Sequence, residues 1–546
     1  MLALRFLEYI DDDSSFNSVI FEILLENISN SIITKAPEER FRLGYWTVVG
    51  LIVNRVIGTG IFDSPTTIMI GTSSTGVTLL FWAAGAVYTI AGAYLSVEFG
   101  LTTPRHKFEG MKQGIPRSGE TLNYPQYVLP WPAYRHRTVL LITCMYAAAY
   151  IVLGNMAGNY LIFGIRILEA ANKPLTNSEV RELAVAAATF GCAIHTFSRR
   201  GGIWLGNVLA IVKVCMLLMM VIISMRAWGG VFGVPNVVEQ NLAAQNSFAK
   251  PSKDPYVYAK AFLCMIFAWS GFDQPNSVLG EVGRLRKKMI VAPKEEQTKA
   301  GGNVALASCE RTLGTVSKDK LLPNRIRSAF MAISSLSNIV VMNFLAARVK
   351  QEIVKEGIIP WPKFFGETKK PLLPSMSPQE HSQTPFGALF LHWFFTVLLI
   401  AVTSHLTPTG TYTLLVDLYA YTVVSVFGFV VGIGMLRLRL SKTKSWATKS
   451  PFWPILSIIS ALIFALGSGC PMEASWIPPS SEYIKKTPSA VAWSTTPVQK
   501  VPEFDRDPPS NGPPVQVHET VFLAWVAKEN ESTDVEMEER RSMESF

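Results

Sequence analysis

The chain has 546 residues, of which only 17% are charged, and its formal net charge at pH 7 is +9. Soluble proteins carry about 25% charged residues, and several apolar runs here reach the roughly 20 residues that a helix needs to cross a bilayer. The composition therefore argues against a soluble multidomain enzyme. The basic residues fall in short clusters between apolar runs, which also argues against a nucleic-acid partner.

Ten segments are apolar enough to span a membrane, and none shows the alternation of a barrel strand, so the predicted fold class is an all-α membrane protein. The predicted spans are residues 44–70, 77–101, 138–168, 183–198, 203–225, 256–282, 328–347, 386–405, 411–436 and 452–470. The predicted organisation is a cytosolic N-terminal tail (1–43), six transmembrane helices (44–285), a polar insert (286–325), four further helices (326–470) and a proline-rich, then acidic, tail (471–546).

Basic residues follow the second, fourth and sixth spans, which places these loops and the N-terminus in the cytoplasm. The pattern fails after residue 285, because the predicted span 328–347 has basic residues at both ends. Either this segment is re-entrant, or a spanning helix that belongs between 286 and 325 is missing from the chain. We favour the missing helix. We expect an integral membrane protein of the plasma membrane.

The first span is interrupted by its own sequence, VNRVIGTGIFDSP, in which Gly58 and Gly60 weaken a helix at mid-membrane. An opened helix exposes carbonyls at the end of one half and N–H groups at the start of the next, and hydrocarbon offers no partner for either. A zwitterion satisfies both, since its carboxylate suits the half-helix N-terminus and its ammonium suits the carbonyls. Glycines that allow close helix packing are an equal alternative for this segment alone.

The sixth span, FLCMIFAWSGFDQPNSVLGEVGR, is interrupted as well, at Ser270-Gly271 and the following Asp273, Pro275 and Asn276. Two interrupted helices five spans apart are typical of an inverted repeat with its substrate at the midplane. The pair therefore favours a transport site over packing glycines.

These motifs, with RVKQEIVKEGIIP, resemble the amino acid–polyamine–organocation superfamily and, within its L-type amino acid transporter branch, the fungal methionine permeases. The resemblance implies a 5+5 inverted-repeat bundle with discontinuous first and sixth helices, in which about ten of an expected twelve spans are recognisable. It implies that amides at the start of the second half-helix hold the substrate carboxylate, that carbonyls at both interruptions hold the ammonium, and that Phe267 closes over the substrate. The implied substrate-binding residues are Val56, Ile57, Gly58, Thr59, Gly60, Ile61, Phe267, Ala268, Trp269, Ser270 and Gly271.

Four further residues are candidates for coupling or gating: Lys213, Arg55, Asp273 and Glu281. Lys213 matches a membrane lysine that in related carriers stands where others bind sodium. An ammonium at mid-membrane is costly unless it is paired or deprotonated, and snorkelling is awkward about ten residues from either end of the segment. Arg55 and Glu281 are expected to form a cytoplasmic-side ion pair, or an ordinary orienting pair. Asp273 is expected to take a proton or to accept hydrogen bonds from the unwound backbone.

Three other polar residues are expected to be structural: Glu98 at the interface, and Asn338 and Asn343 as hydrogen-bonding residues between helices. The sequence contains no metal-ligand spacing and no nucleophile–base arrangement, so we expect no enzyme activity, cofactor or metal.

The leading hypothesis is a permease that takes up methionine or another neutral L-amino acid with protons, its partners being the substrate, protons and the bilayer, with no stable protein partner implied. The alternative is a transport-inactive or receptor-like remnant of the same family that lacks the seventh and twelfth helices.

Overall fold

The computed structural model describes residues 42–103, 107–108, 111–112, 118–129, 133–134, 139–228, 243–249, 251–281, 322–367, 384–441 and 446–474. The predicted N-terminal tail, polar insert and C-terminal tail therefore lie almost entirely outside the described residues. The described part is dominated by helices, as the apolar runs predict.

Helices of the first half run from the N-terminus to the loop after the sixth predicted span. In chain order they are α1 (Tyr45–Val56), α2 (Thr59–Thr72), α3 (Thr75–Thr102), α4 (Asn123–Val128), α5 (Leu141–Leu153), α6 (Ala157–Ala170), α7 (Asn177–Phe197), α8 (Arg199–Trp228), α9 (Ala244–Ser247), α10 (Pro255–Trp269) and α11 (Gln274–Ser277). Short 3-10 turns at Glu120–Leu122 and Leu279–Glu281 precede α4 and follow α11.

The second half has fewer and longer helices. They are α12 (Leu322–Lys355), α13 (Pro362–Gly366), α14 (Phe386–Val402), α15 (Pro408–Tyr419), α16 (Phe427–Leu440), α17 (Trp446–Lys449) and α18 (Pro454–Ala474). A 3-10 turn at Thr403–His405 follows α14, and a π-helical segment, Ala420–Val426, joins α15 to α16.

Two minimal antiparallel ladders lie between α3 and α5. Strand β1 (Lys107–Phe108) pairs with β2 (Met111–Lys112), and β3 (Ala133–Tyr134) pairs with β4 (Val139–Leu140). Each strand has two residues, so these ladders add nothing to the architecture of the helical bundle.

Seven helices of the described residues are long and apolar enough to cross a membrane. They are residues 75–102, 141–170, 199–223, 325–355, 386–405, 408–440 and 454–473. Large apolar side chains face outward along several of them, such as Ile211 and Ile222 on α8 and Leu466 on α18, which suits contact with lipid. The other three predicted spans contain helices that are broken or more polar.

Helix α12 is the centre of the bundle. Of its most apolar window 78% is buried, against 28% for α8. It is one continuous helix of 34 residues, eight residues longer at its C-terminal end than the predicted span 328–347. At about 1.5 Å per residue a helix of this length is long enough to cross a bilayer, which favours a crossing over the re-entrant alternative.

A third interruption, not predicted from the sequence, separates α5 from α6. Met156 has a left-handed backbone, with φ of 53°. The Asn155 side chain donates to the freed carbonyls of Ile151 and Val152 at 3.2 and 2.6 Å. Lys350 Nζ on α12 donates to the same Ile151 carbonyl at 3.2 Å and to Asn155 Oδ1. Gly154-Asn155 within an apolar run was the available signal.

A buried ion pair joins α3 to the last helices of the described residues, α16, α17 and α18. Glu98, which is expected at the interface, has no exposed surface. Its carboxylate accepts from Arg439 Nη2 at 2.5 Å, Trp446 Nε1 at 2.7 Å and Ser457 Oγ at 2.5 Å. Because α16, α17 and α18 supply these donors and enclose the carboxylate, three elements are fixed to α3 at one point.

We predict that Glu98→Gln destabilises the protein by about 3 to 5 kcal/mol, because it leaves the buried Arg439 without its counter-charge. The measurement is the melting temperature of the purified protein in detergent. Glu182→Gln, at an exposed site on α7, is the control and should melt like the wild type. A Glu98→Gln protein that also melts at the wild-type temperature contradicts the structural role of this pair.

Candidate functional site

The first interruption lies at Ile57 and Gly58, within the predicted motif. Helix α1 ends at Val56, Gly58 is extended with φ −105° and ψ −165°, and α2 begins at Thr59. The Ile57 carbonyl accepts from Ser334 Oγ on α12 at 3.1 Å. The first amides of α2 have no acceptor within their own helix, and no side chain caps them at Gly58. This end of the interruption therefore presents hydrogen-bond donors.

The second interruption follows Trp269, where α10 ends, and Gly271 takes the positive φ of 126°. The Phe267 carbonyl, expected to hold an ammonium, accepts from both Ser270 N at 3.3 Å and Ser270 Oγ at 2.9 Å. The Gly271 carbonyl accepts from Gln274 N at 3.4 Å. In this conformation the carbonyls are thus largely occupied by neighbouring groups.

The two interruptions touch each other. A Cβ on Gly60 would lie 2.8 Å from Ala268 Cα and 3.1 Å from Phe267 Cδ1. A Cβ on Gly271 would lie 2.3 Å from Arg55 Cγ and 3.3 Å from Val56 N. The glycines therefore allow direct backbone contact between the start of α2 and the end of α10, and the two sequence motifs form one site.

Trp269 is the predicted site residue whose side chain the structure places elsewhere. A Cβ on Gly85 of α3 would lie 2.7 Å from the Trp269 indole, and the indole lies 6.0 Å from the Trp82 ring. The ring packs against α3, because this residue is on the opposite face of α10 from the neighbouring Phe267. Only the Trp269 backbone belongs to the interruption.

Lys213 contacts the last turn of α1, next to the first interruption, and does not snorkel to the membrane surface. Its side chain is buried, with 1% exposure, and its ammonium donates to the Asn54 carbonyl at 2.8 Å. This carbonyl is in the last turn of α1, where a helix carries a partial negative charge. The Asn54 side chain in turn donates to Gly206 O at 2.8 Å and accepts from Ser337 Oγ. Lys213 thus ties α8 to the end of the broken helix.

The expected ion pair between Arg55 and Glu281 is wrong. Glu281 binds Arg199 Nη2 at 2.5 Å and Arg348 Nε at 2.6 Å, so both of its oxygens are used. The Leu43 amide also donates to the Glu281 carbonyl at 2.8 Å. Arg55 is turned away because its Cβ and Cγ lie against Gly271, and its guanidinium lies over aromatic rings instead.

Asp273 precedes α11 and accepts a hydrogen bond from Gln274 Nε2 at 3.3 Å. Its carboxylate therefore has a side-chain donor rather than the unwound backbone that one alternative expected.

Three polar residues of α12 also face the first interruption, and the sequence analysis did not place them in the site. Ser334 and Ser337 donate to the end of α1 as described above. Asn338 is close to Gly58, where a Cβ would lie 3.3 Å from Asn338 Nδ2. The polar run SSLSN in an apolar helix was the signal. Asn343, by contrast, accepts from Tyr160 OH at 2.6 Å and joins α12 to α6, as expected.

We predict that Gly271→Ala lowers the yield of monodisperse protein and its melting temperature, since the new methyl group meets Arg55 and an alanine is strained by about 1 to 3 kcal/mol at this φ. Gly44→Ala is the control, because a Cβ at Gly44 meets nothing within 4 Å. Equal melting temperatures for the two variants contradict the close contact between α1 and the second interruption.

Comparison with known proteins gives the site its context. Residues 43–294 and 289–495 match the family described as amino acid permease. The chain is 27% identical to the high-affinity methionine permease of Saccharomyces cerevisiae over 82% of this chain and 75% of that protein. It is 26% identical to the b(0,+)-type amino acid transporter 1 of Mus musculus over 47% of this chain and 48% of that protein.

Among solved structures, a manganese transporter from Eremococcus coleocola superposes with a TM-score of 0.41 at 11% identity, covering 84% of this chain and 94% of that one. This similarity is too low to bear on function. The family match covers most of the chain, including both interruptions and α12. The chain is a transport protein, not an enzyme, and belongs to the amino acid permease family.

Proposed function

We propose that this permease carries methionine or another neutral L-amino acid across the plasma membrane, with protons as the coupling ion. The observation that carries the proposal is the contact between two interrupted helices, which brings the first amides of α2 and the backbone carbonyls at the end of α10 together inside an apolar bundle. A zwitterion is the small molecule whose charges match such ends. The methionine permease among the relatives supports the choice of side chain.

The charged ends of the substrate are assigned to the backbone. The amides of Thr59, Gly60 and Ile61 would bind the carboxylate at the start of α2. The ammonium would bind carbonyls of the two interruptions, at Val56, Ile57, Phe267, Ala268 and Ser270. For the Phe267 carbonyl this requires that Ser270 gives up the hydrogen bonds described above.

An apolar substrate side chain has a suitable environment beside these groups. Phe267 belongs to a buried cluster that also contains Tyr150, Met342, Tyr419 and Phe427. These four residues come from α5, α12, α15 and α16. Methionine is unbranched and polarizable, and it makes favourable contacts with aromatic rings.

The remaining features of the transporter architecture belong to this proposal. The interrupted helices α1–α2 and α10–α11 would be the first helices of two inverted five-helix repeats. About ten of the twelve expected spans would be present. With the N-terminus in the cytoplasm, Glu281, Arg199 and Arg348 lie on the cytoplasmic side. Their ion pairs join α8, α12 and the segment after α11, so they must separate for the substrate to leave by that side.

We predict that this chain supports accumulation of labelled methionine in cells that lack their own methionine uptake, and in vesicles containing the purified protein. Unlabelled neutral amino acids should compete, whereas basic ones should not, because the apolar cluster and the Arg55 guanidinium beside it offer no counter-charge for a cationic side chain. Uptake no greater than that of empty vesicles, from a protein that is folded and monodisperse, favours the transport-inactive alternative.

We predict that Lys213→Met abolishes the stimulation of net uptake by an acidic exterior, while exchange of internal for external methionine persists. The reason is that Lys213 is a buried titratable group whose ammonium donates to the last turn of the broken helix. Lys350→Met is the matched control, since Lys350 is also a buried lysine on backbone carbonyl oxygen, but at the α5–α6 interruption. Uptake by Lys213→Met that still follows the proton gradient contradicts the coupling role.

A further inference from the structure

Arg55 is a buried cation that forms no ion pair with any carboxylate whose side chain the structure describes. Its side chain has 4% exposure, and its Nε and Nη2 atoms are buried with no hydrogen-bond partner among the described residues. The guanidinium instead lies 5.7 Å from the centroid of the Phe267 ring and 6.0 Å from that of Tyr419. Aromatic faces attract a cation but do not accept its in-plane N–H bonds. The Nε and Nη2 donors of Arg55 therefore lack a hydrogen-bond acceptor among the described residues.

Three carboxylates in the described part of the bundle bind other cations. Glu281 binds Arg199 and Arg348, Asp417 lies 3.7 Å from Lys260, and Glu98 binds Arg439. The Asp273 carboxylate accepts from Gln274 Nε2. None of these carboxylates hydrogen-bonds to the buried Nε and Nη2 atoms of Arg55.

The other unsatisfied groups around Arg55 include further donors. The Phe267 ring that contacts Arg55 also contacts Gly60 at the start of α2, where the first amides have no intrahelical acceptor. Asn338, with 1% exposure, approaches Gly58, and both its Nδ2 and Oδ1 atoms lack partners among the described residues. A guanidinium, a helix N-terminus and a side-chain amide thus surround the first interruption.

We propose that Arg55 and Asn338 form a second anchor for the substrate carboxylate, in addition to the α2 amides, and make the carboxylate the main determinant of substrate selection. The proposal rests on the proposed function and names the chemical group that the site reads. Arg55 is in the last turn of α1, just before the interruption, and the amides are just after it. The two anchors therefore hold the carboxylate from both half-helices. Asn338 from α12 completes the set with the N–H donors of its side-chain amide.

The proposal makes specific demands on the ligand. An amino acid with a free carboxylate satisfies the donors, whereas its amide or ester supplies only a neutral carbonyl and adds net positive charge beside Arg55. A lysine at position 55 keeps the charge but loses the planar fork that suits a carboxylate. A glutamine keeps hydrogen bonding without charge.

The test is ligand binding to the purified full-length protein, measured as thermal stabilisation and as competition with labelled methionine. The ligands are methionine, methioninamide and methionine methyl ester. The wild type should prefer methionine strongly over both. Arg55→Gln should reduce this preference by about ten- to a hundredfold, the range expected for lost hydrogen bonds to a charged group, and Arg55→Lys should fall between the two.

Two matched variants isolate the effect. Arg166→Gln removes a cation that pairs with Glu169 on α6, away from the interruptions, and should leave the preference unchanged. Asn338→Ala should weaken methionine binding and lower the preference less than Arg55→Gln does. Asn338→Ala also tests the proposal if Arg55→Gln does not fold.

The outcomes distinguish a failure of the proposed function from a failure of the role proposed for Arg55 and Asn338. A folded wild type that no amino acid stabilises overturns the proposed function and this inference with it. A wild type that binds methionine, with the same preference in Arg55→Gln and Asn338→Ala, overturns only the inference and leaves Arg55 a structural link between α1, α10 and α15. A preference that disappears when gluconate replaces chloride assigns Arg55 to an inorganic anion and also overturns it.

Discussion

Lipid cannot hydrogen-bond to a peptide group, and this constraint organises the whole bundle. A helix that stops inside a membrane must find partners for its last carbonyls and its first amides. Side chains of the protein itself donate to these carbonyls: Lys213 donates to the Asn54 carbonyl and Ser270 to the Phe267 carbonyl. At the third interruption, Lys350 donates to the Ile151 carbonyl in the same way. Buried lysines here are thus explained by backbone chemistry, without carboxylate partners.

The amide ends are treated differently, and this asymmetry gives the site its character. No capping side chain meets the start of α2 at Gly58, and the neighbouring Arg55 and Asn338 carry buried N–H groups that have no hydrogen-bond partner among the described residues. The site therefore has an excess of donors and of positive charge. A substrate carboxylate would accept hydrogen bonds from these donors and balance the positive charge. The carbonyls of the two interruptions would accept from the ammonium once Ser270 releases the Phe267 carbonyl. We propose that the backbone, with Arg55 and Asn338, recognises the zwitterion, while the aromatic cluster around Phe267 selects the side chain.

The sequence predicted what depends on local chemistry and missed what depends on distant contacts. Gly58 and Gly271 showed where the helices break, because glycine weakens a helix wherever it stands. The choice of Glu281 among several arginines was not predictable, since Arg199 and Arg348 reach it from helices far apart in the chain. The π-helical segment after α15 lacks any glycine or proline and gave no signal. The tails and the polar insert remain predictions.

The central claim is that two helices stop at mid-membrane and that the bare start of α2 binds a carboxylate. The most direct measurement is a density map of the protein in a lipid nanodisc with bound methionine. The account predicts a gap in the helix at Gly58 and ligand density whose carboxylate contacts the Thr59–Ile61 amides. A helix wound continuously through Gly58, or methionine bound away from both interruptions, would contradict it.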